Sequence, residues 1–217
     1  MGRTFFLMNR TYCGIAALIL TLTLCVCSFA DYASACKNVR EGVLRLHITA
    51  DSDSAEAQEV KLKVRDALLE SGARIFDGSV TAEEAEEKLT PYLADIEKTA
   101  DEVLKKNGFE YSAKAYIVNE YFGVREYDGV TLPAGRYTAL RVALGTGEGK
   151  NWWCVMFPPL CLPAAAADAD NDVFAVFDGE GEHVVKPEGG YKIKFKLVEV
   201  AERVMERIRS SDFGIRN

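Results

Sequence analysis

His47 stands alone among histidines in the well-patterned part of the chain, and Asp51 and Asp53 follow it four and six residues later. Alternate residues of a strand share a face, so the three polar groups share parity, and a His–Asp pair is the minimum equipment of a general base. A base alone does not make a hydrolytic site. No Ser or Cys in a recognisable nucleophile elbow accompanies the pair, and both aspartates stand where a helix is expected to start. His47, Asp51 and Asp53 are therefore read as a structural corner or a partner contact, and no residue is assigned as catalytic.

The run Gly145-Thr146-Gly147-Glu148-Gly149-Lys150 has the glycine content of a phosphate-binding loop. That loop also needs a glycine five residues before its Gly-Lys pair and a Ser or Thr after it. Leu144 and Asn151 stand there instead, and the residues that follow read as a strand, with no helix N-terminus to face a phosphate. A hairpin turn is the expected structure. No CxxC pair exists among the six cysteines, and His47 and His183 are far apart in the chain, so no metal site and no cofactor are expected.

Asn151 to Cys161 holds both tryptophans. Alternation places Trp152 and Trp153 on opposite faces of a strand, one able to enter a core and the other able to anchor a partner. Trp152, Trp153 and Phe157 are the expected exposed patch, alongside the His47–Asp53 corner. Cys154 and Cys161 have two readings. A chain reversal at Pro158-Pro159 brings them into a disulfide, or they stay as free buried thiols.

The elements that must position these residues alternate in period. Val43 to Ala50 reads as a strand with Leu44, Leu46 and Ile48 on one face and Arg45, His47 and Thr49 on the other. Asp53 with Glu56 marks the start of a helix running to Ser71-Gly72. Thr81 with Glu84 caps a second helical stretch to Lys106, kinked at Pro91. From Ala113 the pattern is β-branched and aromatic, with turns at Asp128-Gly129 and Pro133-Ala134-Gly135 and strands to Phe157. A further short strand is expected at Val173–Phe177, and a helix from Ile193. The fold class is α+β, an antiparallel sheet with helices packed on one face.

The 217 residues are 48% hydrophobic and 27% charged, an ordinary globular balance with a net charge of -7. An acidic domain repels phosphate backbones, so nucleic acid is excluded as a partner. Arg3 and Arg10 precede an uncharged stretch from Cys13 to Ala30, and Ala33-Ser34-Ala35 supplies small residues at the positions a signal peptidase reads. Residues 1–35 are a signal peptide or a membrane anchor and the expected point of membrane contact. Residues 36–163 form the main domain, and residues 164–217 an acidic linker with a strand and helix tail.

The runs VLRLHITADSDSAEAQEVKLKVRDALLE at 43–70, LKKNGFEYSAKAYI at 104–117 and LPAGRYTALRVALGTGEGKNWWCVMFPPLC at 132–161 resemble the stage II sporulation protein R family. The resemblance covers about residues 40–162. It implies an exported signal of endospore formation, released into the space between forespore and mother cell. There it triggers a membrane-embedded aspartic protease that processes the sigma-E precursor. It implies no enzymatic activity and carries over no catalytic residue. Two competing readings are an exported hydrolase using His47 and Asp51, and a membrane-anchored structural protein of the cell envelope.

Overall fold

A computed structural model describes residues 2–75, 81–127, 130–158, 184–185 and 192–214. Helix α1 spans Gly2–Glu41, β1 Leu44–Thr49, α2 Ala55–Ile75, α3 Ala82–Leu89 and α4 Leu93–Lys106. Strands β2 (Ala113–Phe122), β3 (Arg125–Tyr127), β4 (Val130–Leu132), β5 (Gly135–Leu144) and β6 (Asn151–Phe157) follow, and α5 spans Lys192–Gly214. The expected strand at 173–177 lies outside the described residues.

The α+β class holds, but the sheet is mixed. Its order is β2-β5-β1-β6, and β1 runs parallel to β5 while its other neighbour β6 and the β2–β5 pair are antiparallel. The expected antiparallel sheet therefore gives way to a mixed one whose first strand is inserted in its interior. All six residues of β1 are buried, which fits a strand paired on both edges and covered on both faces. The β3–β4 ribbon stands apart, with Tyr127 opposite Val130.

Helices α2, α3 and α4 cover one face. Leu44, Leu46 and Ile48 meet Val60, Val64 and Leu68 of α2, Leu89 of α3 and Ile96 of α4 in one core. Each such side chain contributes roughly 1.5–3 kcal/mol on leaving water. The second face is covered too, contrary to helices on one face only. Tyr32, Cys36 and Val39 of α1, Val184, Val185, and Val198 of α5 pack there with Tyr137 and Val155.

Local signals explain most helix ends. Thr81 Oγ1 accepts from the Glu84 N–H at 3.1 Å, a cap worth about 1 kcal/mol. Pro91 lies in a short 3₁₀ turn, Thr90–Tyr92, that separates α3 from α4. Two expectations shift. The cap of α2 is Ser54, whose Oγ accepts from Ala57 N–H at 3.1 Å, leaving Asp53 for another task. Nor does Ser71-Gly72 end α2: the helix continues to Ile75, with Ser71 Oγ donating back to the Ala67 carbonyl at 2.9 Å.

The start of the outer edge of β2 is capped by α4. Asp101 accepts from Ala113 N–H at 2.7 Å and Glu97 from Ala115 N–H at 2.9 Å, so two outward backbone donors of that strand end on carboxylates.

Candidate functional site

The Asp51–Ser54 loop after β1 and the Gly145–Lys150 loop after β5 form one corner. β5 and β6 lie on either side of β1, so the glycine run is a crossover passing the end of β1, not the expected hairpin turn. Asp51 Oδ1 accepts from Thr146 N–H at 2.8 Å, and Thr146 Oγ1 donates to Asp51 O at 2.9 Å. Asp53 Oδ1 accepts from Lys150 N–H at 2.8 Å, and Gly149 N–H donates to Ala50 O at 2.8 Å. Buried Lys61 donates to Lys150 O at 2.9 Å and to Gln58 Oε1 at 2.6 Å, and burial pulls its pKa below the ordinary lysine value.

The glycines are there for contact distance. A Cβ on Gly149 would lie 2.3 Å from Ser52 O, and one on Gly145 2.2 Å from Asp51 Oδ1. Only glycine lets the two backbones approach this closely.

His47 points to the second face of the sheet. Its Nδ1–H donates to Glu120 Oε1 at 2.7 Å, and its Nε2 is paired with the Asn151 carboxamide at 2.8 Å. Trp153 stacks on the ring with centroids 3.7 Å apart and planes at 19°. Arg141, the neighbour of His47 on β5, holds the second oxygen of Glu120 at 3.7 Å. His47 is 3% exposed. With both nitrogens engaged by protein groups, the ring has none free to take a proton from a substrate.

Beside His47 on the same face lies Arg45, fully buried. Its guanidinium stands 4.3 Å from the Phe122 ring centre, 5.0 Å from Tyr137 and 5.4 Å from Tyr127. Nε donates to Cys154 O at 3.0 Å and Nη2 to the Tyr127 hydroxyl at 2.7 Å, while Nη1 has no hydrogen-bond partner. Burial lowers its pKa, and the aromatic faces stabilise the cation in place of a carboxylate.

The residues singled out in the sequence are thus divided. His47 and Trp153 come together, while Asp51 and Asp53 turn to the glycine loop and hydrogen-bond there, not to His47. Trp152 faces the helix side, where Arg65 lies 4.5 Å over its ring. Phe157 is 5% exposed within the helix-side core, so burial removes it from the expected exposed patch. Cys154 is disulfide-bonded, and its expected partner, Cys161, lies outside the described residues.

Glu120, Asn151, Arg141 and Arg45 were missed in the sequence reading. The polar side of β1 pointed to Arg45, but nothing local pairs β2 with a strand two places away. Among the described residues no group of three or more His, Cys, Asp or Glu side chains is placed to hold a metal. A shallow depression of about 280 Å³, lined by Ser71, Ile75, Tyr92, Asp95, Ile96 and Thr99, shares no residue with the corner.

The chain thus joins an acidic α+β domain, with its glycine- and aspartate-rich loops tied together, to an apolar helix. The family model of stage II sporulation protein R matches residues 40–167, more than half the chain, and the chain belongs to that family. It is 35% identical over 124 residues to Stage II sporulation protein R of Bacillus subtilis (strain 168), a match covering 57% of this chain. The match spans 55% of that protein, so about half of the relative's length is represented. No solved structure matches the chain. The matched stretch contains the whole mixed sheet and the corner, and leaves out most of α1 and all of α5.

Proposed function

We propose that this protein is an exported signal of endospore formation that triggers a membrane-embedded aspartic protease to process the sigma-E precursor. On this reading it is made in the forespore and acts in the space between forespore and mother cell. It acts by binding and not by catalysis. A folded ligand changes a receptor by binding one of the receptor's states better than the other.

Family membership supports the sporulation role, and the N-terminal apolar helix supports export. The observation that carries the binding reading is local. The two longest family-like runs, 43–70 and 132–161, supply the two loops of one hydrogen-bonded corner, and on the second face of the sheet Trp153 is held, half-buried, against a fixed imidazole. A pre-ordered indole offers a large contact area at little further cost in side-chain entropy. His47, being buried, positions Trp153.

Deleting the gene and following sigma-E precursor cleavage during sporulation tests the reading. Cleavage is expected to stop and to return with the wild-type gene. Undiminished cleavage in the deletion strain would overturn the proposal.

A further inference from the structure

We infer that the apolar N-terminal helix stays attached after export, so that the domain works as a ligand tethered to the outer face of the membrane crossed by residues 12–30. Helix α1 is unbroken from Gly2 to Glu41 and has two parts with opposite surroundings. Residues 12–31 are exposed throughout, and Leu18, Leu20, Leu22, Leu24 and Val26 each leave 61–70% of their surface open. No charged residue falls between Cys13 and Ala30. A stretch of that length at about 1.5 Å per residue matches a hydrocarbon layer about 30 Å thick, and a bilayer is the occupant suited to so long an apolar surface.

Beyond Asp31 the same helix is part of the domain. Tyr32, Ala35, Cys36 and Val39 are 5%, 3%, 0% and 1% exposed, and their spacing places them on one helical face. They pack with Val43, Tyr137, Val155 and Val198 in the second core. Arg40 fastens the end of the helix, donating to Ala134 O at 3.4 Å and pairing with Glu202 of α5 at 3.1 Å.

The small residues that read as a cleavage site therefore lie within a docked helix. The bond after Ala35 joins two buried residues, and cutting it requires the helix to unwind and leave the sheet. Cleavage also removes Tyr32 and Ala35 from the core and leaves only residues 36–41 of the helix. Six residues are well below the roughly 12–15 at which an isolated helix becomes marginally stable. A disposable leader has no part in the folded domain, whereas residues 32–35 do.

The inference rests on the export part of the proposed function and on nothing about sigma-E. The test uses the full chain expressed during vegetative growth of a spore-forming bacterium, when the outer face of the membrane meets the medium. Membranes are extracted with alkaline carbonate, the intact mass of the protein is measured, and protoplasts are treated with external protease. The expected result is a full-length chain in the carbonate pellet whose domain is digested from outside. A chain beginning near Cys36 and released to the soluble fraction would overturn the tether and leave export standing. A domain protected from external protease would overturn export and tether together.

Discussion

Trp153 and His47 are directly opposed residues of antiparallel neighbours β6 and β1, and their rings stack 3.7 Å apart. Glu120 and Asn151 grip the two nitrogens of the imidazole, so the indole rests on a platform fixed from both sides. Phe122 closes the assembly edge-on, 4.8 Å from the indole.

If Trp153 anchors the receptor, Trp153→Ala weakens binding by about 2 kcal/mol, roughly 30-fold, as hot-spot truncations do. The measurement is sigma-E precursor cleavage in sporulating cells, with native folding of the variant checked by circular dichroism. Trp153→Phe, which keeps an aromatic stack, should retain more signalling than Ala. A folded Trp153→Ala protein with wild-type cleavage would take the indole out of the contact surface.

Gly149→Ala should destabilise the domain by roughly 2 kcal/mol or more, because the new methyl meets the Ser52 carbonyl at 2.3 Å and a backbone atom cannot rotate away. For a chain of this length that lowers Tm by about 4–8 °C. Glu148→Ala, at the exposed neighbouring position, should leave Tm unchanged. Equal melting of Gly149→Ala and wild type would mean that the two loops are not held in this approach.

Arg45 separates the role of volume from the role of charge. Arg45→Ala empties the aromatic cage and should cost about 3 kcal/mol or more by urea denaturation. Arg45→Met refills much of that space without a buried charge to desolvate, and should stay within about 1 kcal/mol of wild type. If Met proves as costly as Ala, the guanidinium's bonds to Cys154 O and Tyr127 carry the stability instead.

Burial raises the pKa of Tyr137, and that of Tyr127 in the same direction, above the ordinary tyrosine value of 10.0. The native state thus keeps phenolic protons that the unfolded chain releases. Their contribution to stability is complete below pH 10 and is lost as pH rises from there towards the folded values. Unfolding free energy should fall as pH rises above about 10. Tyr137→Phe should make that fall shallower, although it also removes the hydrogen bond to Pro133 O. An identical slope in the variant would assign the alkaline loss to other groups.

What could be read from sequence was what neighbouring residues decide. The Thr81 cap, the break at Pro91, the helix end at Lys106 and the opposite faces of Trp152 and Trp153 all follow from short-range geometry. The parallel β1–β5 pairing was hidden, because its partners lie some ninety residues apart and no local pattern encodes which strand enters the centre. That insertion put the polar side of β1 under a second layer and brought Glu120 to His47. It also turned the glycine run from an expected hairpin into a crossover packed on the Asp51 loop. The aspartates, plausible beside a histidine in sequence, were already committed to that loop.

Asp101 and Glu97 of α4 have a consequence for how other chains can approach. They hold the first two outward backbone donors of β2, Ala113 and Ala115, which an incoming extended peptide would use to pair with that end of the strand. That end of the strand is capped from within the domain. At those two positions an incoming strand finds no free backbone donor to pair with, and recognition falls to side chains.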